Sequence, residues 1–142
     1  MGKIVWELPL KTVSEANRSE HWTVSSKRHR QQQFFVRALF HGHAKPILPP
    51  CKITLTRVSS RALDEDDNLP MAFKWIKDEI SECIFPEKRI FYVKKGKARA
   101  IKGRADDDPR LKWVFAQDKG KMGIRIEIET LEDSWEPPIS LA

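Results

Sequence analysis

Between residues 52 and 83 the chain changes its hydrophobic period from two to about 3.6, and it does so across four consecutive acids. Over 52–59, Ile53, Leu55 and Val58 stand against Thr54, Thr56 and Arg57, the pattern of a half-buried strand. From about 68 to 83 the apolar residues Leu69, Ala72, Phe73, Ile76, Ile80 and Cys83 recur at steps of three or four, which predicts a helix. Asp67 or Asn68 is a suitable cap, and Pro70 falls in the first turn, where a missing N–H is tolerated. The junction itself is Asp64-Glu65-Asp66-Asp67. A strand that hands over to a helix in so few residues requires sheet and helix in one layered unit.

The remaining segments extend this pattern. Residues 4–10 carry a short apolar strand that Pro9 ends or confines to an edge. A polar connection holding Asn17, His21 and Trp22 follows, and then a helix over 27–41 with an apolar stripe of Phe35, Val36, Leu39 and Phe40. Gly42 is its stop signal. Residues 111–117 and 122–130 read as an antiparallel hairpin turning through Asp118-Lys119-Gly120, with Ile124, Ile126 and Ile128 alternating against Arg125, Glu127 and Glu129. The expected architecture is a single α+β domain over 1–142, a small mixed sheet packed on two main helices, with a frayed tail from 133.

Between 86 and 104 the composition turns basic: Lys88, Arg89, Lys94, Lys95, Lys97, Arg99, Lys102 and Arg104 face the single acid Glu87. Ile90 to Val93 is long enough for a short strand, and the rest reads as a mobile loop, a basic insertion that either tracks a nucleic-acid backbone or is simply solvated. The net charge of +6 favours a polyanionic partner. Cys51 and Cys83 lack ligand spacing, which argues against structural zinc and a disulfide framework and for a reducing cytoplasm. No apolar run reaches the ~18 residues of a membrane span, and residues 1–10 do not read as a signal peptide.

The acids carry the chemistry. A helix N-terminus welcomes one or two carboxylates at ~0.3–1 kcal/mol each, but four adjacent ones repel. A hard cation relieves that repulsion, and Mg²⁺ takes one or two carboxylates plus waters and phosphate oxygens. A second run, Asp106-Asp107-Asp108, precedes a predicted strand, so a sheet can bring both runs to one edge. Together they can hold metal, activate water and stabilise a leaving oxygen in phosphodiester displacement. Lys74, seven residues after Asp67 and so two helical turns along, points back toward the junction, and Lys77 is the weaker competitor for contact with a phosphate.

Two of these stretches, Leu63-Asp64-Glu65-Asp66-Asp67-Asn68-Leu69 with Lys74-Trp75-Ile76-Lys77-Asp78, and Asp106 to Gly120, resemble the RusA family of Holliday-junction resolvases of bacteria and their phages. Asn17, His21 and Trp22 ahead of a basic helix are similar to the N-terminal signature of phage-type members. The resemblance implies a homodimeric endonuclease that binds four-way DNA junctions and nicks opposed strands with Mg²⁺ or Mn²⁺. It implies metal ligands among Asp64, Asp66 and Asp67, completed by Asp106 or Asp107, with Lys74 as the helix lysine. Glu65 stands where the family's first aspartate is expected, so either Glu65 serves or the register moves to Asp64 and Asp66. His21, Arg28, Arg30, Lys94, Lys95, Lys97 and Arg99 are the expected DNA contacts. The alternative is a non-catalytic, structure-selective DNA-binding protein on the same scaffold.

Other features carry less. His41 and His43, near a helix end, more often face solvent or the dipole than a metal. Trp75 and Trp113 are expected in the core or a dimer interface, and Gln117 is expected to orient a water or a backbone group near the site.

Overall fold

The computed structural model describes residues 2–14, 21–63, 68–86, 90–94, 97–101 and 105–131, with side chains left aside between 87 and 105. In chain order the elements are β1 (Lys3–Leu8), α1 (Trp22–Gly42), β2 (Cys51–Ser59), α2 (Asn68–Ala72), α3 (Lys74–Ile84), β3 (Ile90–Lys94), β4 (Lys97–Ile101), a 3₁₀ turn (Ala105–Asp107), β5 (Leu111–Lys119) and β6 (Gly123–Thr130). The fold is α+β, with a four-stranded mixed sheet in the order β1-β6-β2-β5 and a separate β3-β4 ribbon.

β2 takes a central place and is the most buried strand: Cys51, Ile53 and Leu55 are fully buried on one face, and Thr56 is buried on the other. It pairs antiparallel with β6 and parallel with β5, Cys51 opposite Leu111 and Ser59 opposite Lys119. The expected β5–β6 hairpin is therefore incorrect, since β2 lies between those strands. Residues 120–122 arch over the end of β2, tied by the Gly120 N–H donating to the Ser59 carbonyl at 3.2 Å. Local turn chemistry cannot reveal this, because a strand distant in sequence competes for the same ladder. A parallel β2–β5 pair also demands a long crossover, which the helices α2 and α3 supply.

One face of the sheet, Ile124, Ile126 and Ile128 of β6 with Ile53 and Leu55 of β2, is buried in a core with Leu69, Phe73, Ile76 and Ile80 of α2 and α3. α1 adds Val36, with Leu39 and Phe40 partly buried, and Phe40 meets the Trp6 ring edge-on at 5.2 Å. The opposite face of β6 carries Arg125, whose side chain donates to Asp118 across β2 at 2.5 Å. Gly123 opens β6 so close to the Leu8 carbonyl that a Cβ there would lie 2.9 Å from its oxygen.

Several expected boundaries change. α1 starts five residues before the predicted 27, and its stripe is shifted: Phe35 is 36% exposed while Gln32 is buried, its Nε2 donating to the Lys11 carbonyl at 3.1 Å. The single helix expected over 68–83 is two. Phe73, at φ −103° and ψ 8°, lies between α2 and α3, and its N–H bonds to the Pro70 carbonyl at 3.1 Å, a tight i→i−3 closure. The mobile loop expected after Val93 is instead the second strand of a ribbon, with Ile90 opposite Ile101 and Lys94 opposite Lys97. The expected tail from 133 lies outside the described residues. No helix among the described residues is long and apolar enough to cross a membrane.

Burial has a titratable consequence at Cys51. Its thiol is fully enclosed, its Sγ 3.2 Å from the Leu48 carbonyl, and desolvation pushes its pKa from 9.0 up to about 11. The unfolded chain therefore loses the thiol proton first. The stabilisation is complete below about pH 9 and is lost as pH rises through about 11, on the order of 2–3 kcal/mol in all. Urea unfolding across that window is expected to show this loss in the native chain and not in Cys51→Ala. Parallel curves for the two would contradict the burial.

Candidate functional site

The chain leaves β2 at Ser59 and doubles back toward the helix face of the sheet. Arg57 and Gln117, opposite each other in the β2–β5 ladder, both hold the returning segment. An Nη1 proton of Arg57 is donated to the Arg61 carbonyl at 2.7 Å, and the Arg61 N–H reaches the Ser59 hydroxyl at 3.4 Å. Gln117 makes a double contact: the Leu63 N–H donates to its Oε1 at 2.9 Å, and its Nε2 donates to the Leu63 carbonyl at 2.8 Å. The Arg57 side chain is partly enclosed, and desolvation lowers its pKa. Gln117 thus orients a backbone group, one covalent bond before Asp64. Residues 64–67 themselves lie outside the described residues, as do Asn17 and Lys95. The run ends at Asn68, whose Oδ1 accepts from the Ser14 hydroxyl at 2.5 Å.

The second acidic run lies on the 3₁₀ turn ahead of β5, and its three members part company. Asp108 is buried, and both its oxygens are taken by Arg110: Nε to Oδ1 at 3.0 Å and Nη2 to Oδ2 at 3.0 Å, with the Arg110 N–H also on Oδ1. Asp107 is exposed. Asp106 is half-buried, its carbonyl accepting from the Trp113 indole N–H at 3.1 Å and its carboxylate 4.0 Å from the Lys77 ammonium. That ammonium also lies 5.3 Å from the Trp113 ring centroid, a cation–π contact that fixes its position.

The break at Phe73 removes the continuous helix on which the placing of Lys74 relied. Lys74 opens α3 instead of standing two turns into a continuous helix, and its ammonium lies over its own neighbour Trp75 at 5.2 Å. Lys77 is one turn further along the same face and is the lysine that meets an acid of the second run. Trp75 bridges the helices by stacking on His29 of α1 at 4.3 Å, and Trp113 is partly buried against the core. Sequence reasoning ranked Lys77 second and missed Arg57. Asp106 and Lys77 are far apart in the chain, so no local spacing relates them.

The described anchors beside the two runs lie at separate positions along β5. Leu63 is anchored at Gln117 and Asp106 at Trp113, four positions apart on β5, an offset of roughly 13 Å. No three His, Cys, Asp or Glu side chains among the described residues are grouped to hold a metal ion. The donors present there, Asp106 and the exposed Asp107, are hard oxygen ligands of the type Mg²⁺ takes. The offset is within the reach of the four-residue acidic run, which adds four carboxylates beyond Leu63.

The expected DNA contacts distribute around α1 and the ribbon. His21 caps α1, its Nδ1 accepting from the Thr23 N–H at 3.2 Å, and its ring lies beside the exposed Trp22. Arg30 is exposed and Arg28 half-buried on a helix that contains no acid at all. Lys94 of β3 pairs in register with Lys97 of β4, and Arg99 with Tyr92. His41 is exposed, while His43 is the C-cap of α1 and stands edge-on to Trp6 at 6.0 Å.

Comparison of the chain with protein-family models, curated proteins and solved structures returns no match.

Proposed function

We propose that the protein is a metal-dependent endonuclease of the RusA type, acting as a homodimer on four-way or otherwise branched DNA in recombination and repair. One observation carries the reading: Leu63, the residue before the first acidic run, and Asp106 of the second are both tied to β5, through Gln117 and Trp113, with Lys77 beside Asp106. A strand that holds the approaches to two acid clusters along one helix face suits a phosphodiester site better than two unrelated acidic turns.

Asp64, Asp66, Asp67 and Asp106 would hold Mg²⁺, or Mn²⁺, with Asp107 the alternate to Asp106. Such an ion supplies a more acidic bound water and a counter-charge for the leaving oxygen. The residues of the chain do the rest. Asp106 offers a carboxylate oriented through its own carbonyl's bond to Trp113, and Lys77 presents a fixed ammonium to a phosphate oxygen. Lys74, exposed one turn earlier, extends that positive face. Lys27 and Arg30, exposed on α1, give a second basic surface for backbone phosphates, whereas Arg37 is committed to the buried Glu79 at 2.6 Å.

The test is nicking of a four-way junction against a linear duplex of the same sequence, with Mg²⁺, Mn²⁺ or EDTA. Metal-dependent nicks in the junction alone are the expected result. Tight junction binding with no cleavage in either metal would replace this reading with the non-catalytic binding protein, and equal cutting of both substrates would remove the junction from it.

A further inference from the structure

The described helices all meet the four-stranded sheet on one face, the side of Ile53, Leu55 and Ile126. The strand registers lay out the other face as rows that run β1, β6, β2, β5. The first row is Lys3, Glu129, Lys52 and Lys112; the second is Val5, Glu127, Thr54 and Val114. The third is Glu7, Arg125, Thr56 and Ala116, and Val58 and Asp118 stand beyond it. None of these residues belongs to the core that the helices share. Val5 is 50% exposed, and Thr54, Val114 and Ala116 are half-buried. Antiparallel sheets commonly leave one face to water, while all-parallel sheets are covered on both. Here the least charged part of the open face is its parallel pair, β2 and β5.

We propose that a second copy of the chain packs on this face, sheet on sheet, about a two-fold axis that crosses the strands between the second and third rows. The charge pattern complements itself under that operation. Lys112 of one copy comes over the partner's Asp118, and Glu127 over the partner's Arg125, each pair made twice. Val114 meets the partner's Ala116, Thr54 meets the partner's Thr56, and no like charges coincide. An axis along the strands would instead set Lys3 on the partner's Lys112 and carry the two Lys77–Asp106 pairs to opposite edges. The crossing axis leaves the sheet at the β5 edge, so both copies present Lys77 and Asp106 along that edge. Two nicks in opposed strands call for that symmetry. Four strands at ~4.8 Å by seven residues at ~3.4 Å give a footprint of about 450 Å² in plan, toward the small end of stable interfaces. Dissociation is therefore expected at micromolar concentrations. The inference rests on the homodimer of the reading above, gives it a surface, and needs neither metal nor cleavage.

Sedimentation equilibrium of the full chain, in EDTA and without DNA, reads the dissociation constant directly. A reversible dimer is expected, and Val114→Lys, which gathers charge at the axis, is expected to leave a folded monomer. Lys112→Glu and Asp118→Lys, both at exposed positions, each set like charges across the interface twice. Each alone is expected to weaken the dimer at least about tenfold. Mixed together, the two chains regain opposite charges at both contacts, so the mixed dimer is expected to be tighter than either homodimer by a similar factor. A native chain that stays monomeric overturns the inference. If its Thr54→Cys thiol is also shielded from a maleimide, residues 132–142 take the place of the second copy. A dimer that Val114→Lys leaves intact overturns it too, since another surface then joins the copies. A mixture no tighter than the separate chains removes the axis, and the inference with it. Should Val114→Lys lose its circular dichroism spectrum, the two charge variants decide alone. Metal-dependent nicking has its own assay, so failure here and failure of the nuclease reading are distinguishable.

Discussion

Replacing Asp67 or Asp106 by asparagine is expected to cost at least about a hundredfold in metal-dependent junction nicking while junction binding in EDTA stays within a few-fold. Asparagine keeps the shape and removes the charge, so a loss confined to the chemical step isolates the carboxylate. Asp67 is the residue that the RusA resemblance aligns most firmly, through the Asp67-Asn68 pair. Asp106 is selected over its neighbours by structure: it alone of its run sits beside Lys77, half-buried and tethered through its carbonyl. Asp107→Asn is expected to stay within a few-fold, since that side chain is exposed.

Asp108→Asn should fail differently, by losing about 2–3 kcal/mol of stability from its charged hydrogen bonds to Arg110, whose guanidinium also covers the Phe85 ring at 4.5 Å. Nicking rates at 20–25 °C with melting curves on all four variants separate the two kinds of loss. Equal activity of native chain and Asp67→Asn would end the nuclease assignment. A loss larger at Asp107 than at Asp106 would move the site to the solvent side of the turn.

What the sequence made legible was period, and what it hid was adjacency. Ile124, Ile126 and Ile128 announce a strand because alternation is a local property of a sheet with one buried face. The neighbour of that strand is not a local property, and β2 displaced β5 from beside β6 for reasons of burial summed over the whole core. Leu69, Phe73, Ile76 and Ile80 were correctly grouped as an inward face. The break within that run was not legible, because apolar spacing survives a turn that keeps the same face inward.

The site divides in the same way. Two acidic runs are visible as letters, yet the distinction among Asp106, Asp107 and Asp108 depends on Arg110, Trp113 and Lys77, which only the fold brings to them. The sequence gives Gln117 a water or a backbone group to orient, and only the fold identifies that group as the Leu63 peptide, 54 residues away.

Phe73→Ala is expected to cost about 3–5 kcal/mol and to lower the melting temperature by roughly 10–20 °C. The ring is fully buried where α2 gives way to α3, with the Phe115 ring of β5 at 6.1 Å and Leu69, Ile76 and Ile80 in the same core. Its backbone is the pivot of the junction: the N–H closes onto Pro70, and the carbonyl accepts the Lys77 N–H at 2.7 Å. Deleting the ring leaves a cavity that α3 can reduce only by sliding along β5, and that slide carries Lys77 off Asp106 and Trp113. Phe73→Leu retains most of the volume and should cost less than half as much. Thermal and urea unfolding of the two variants measure this directly. A loss under about 1 kcal/mol in Phe73→Ala would mean that the α2–α3 junction is held by something other than this side chain, and the stated coupling between core packing and the Lys77–Asp106 pair would have to be abandoned.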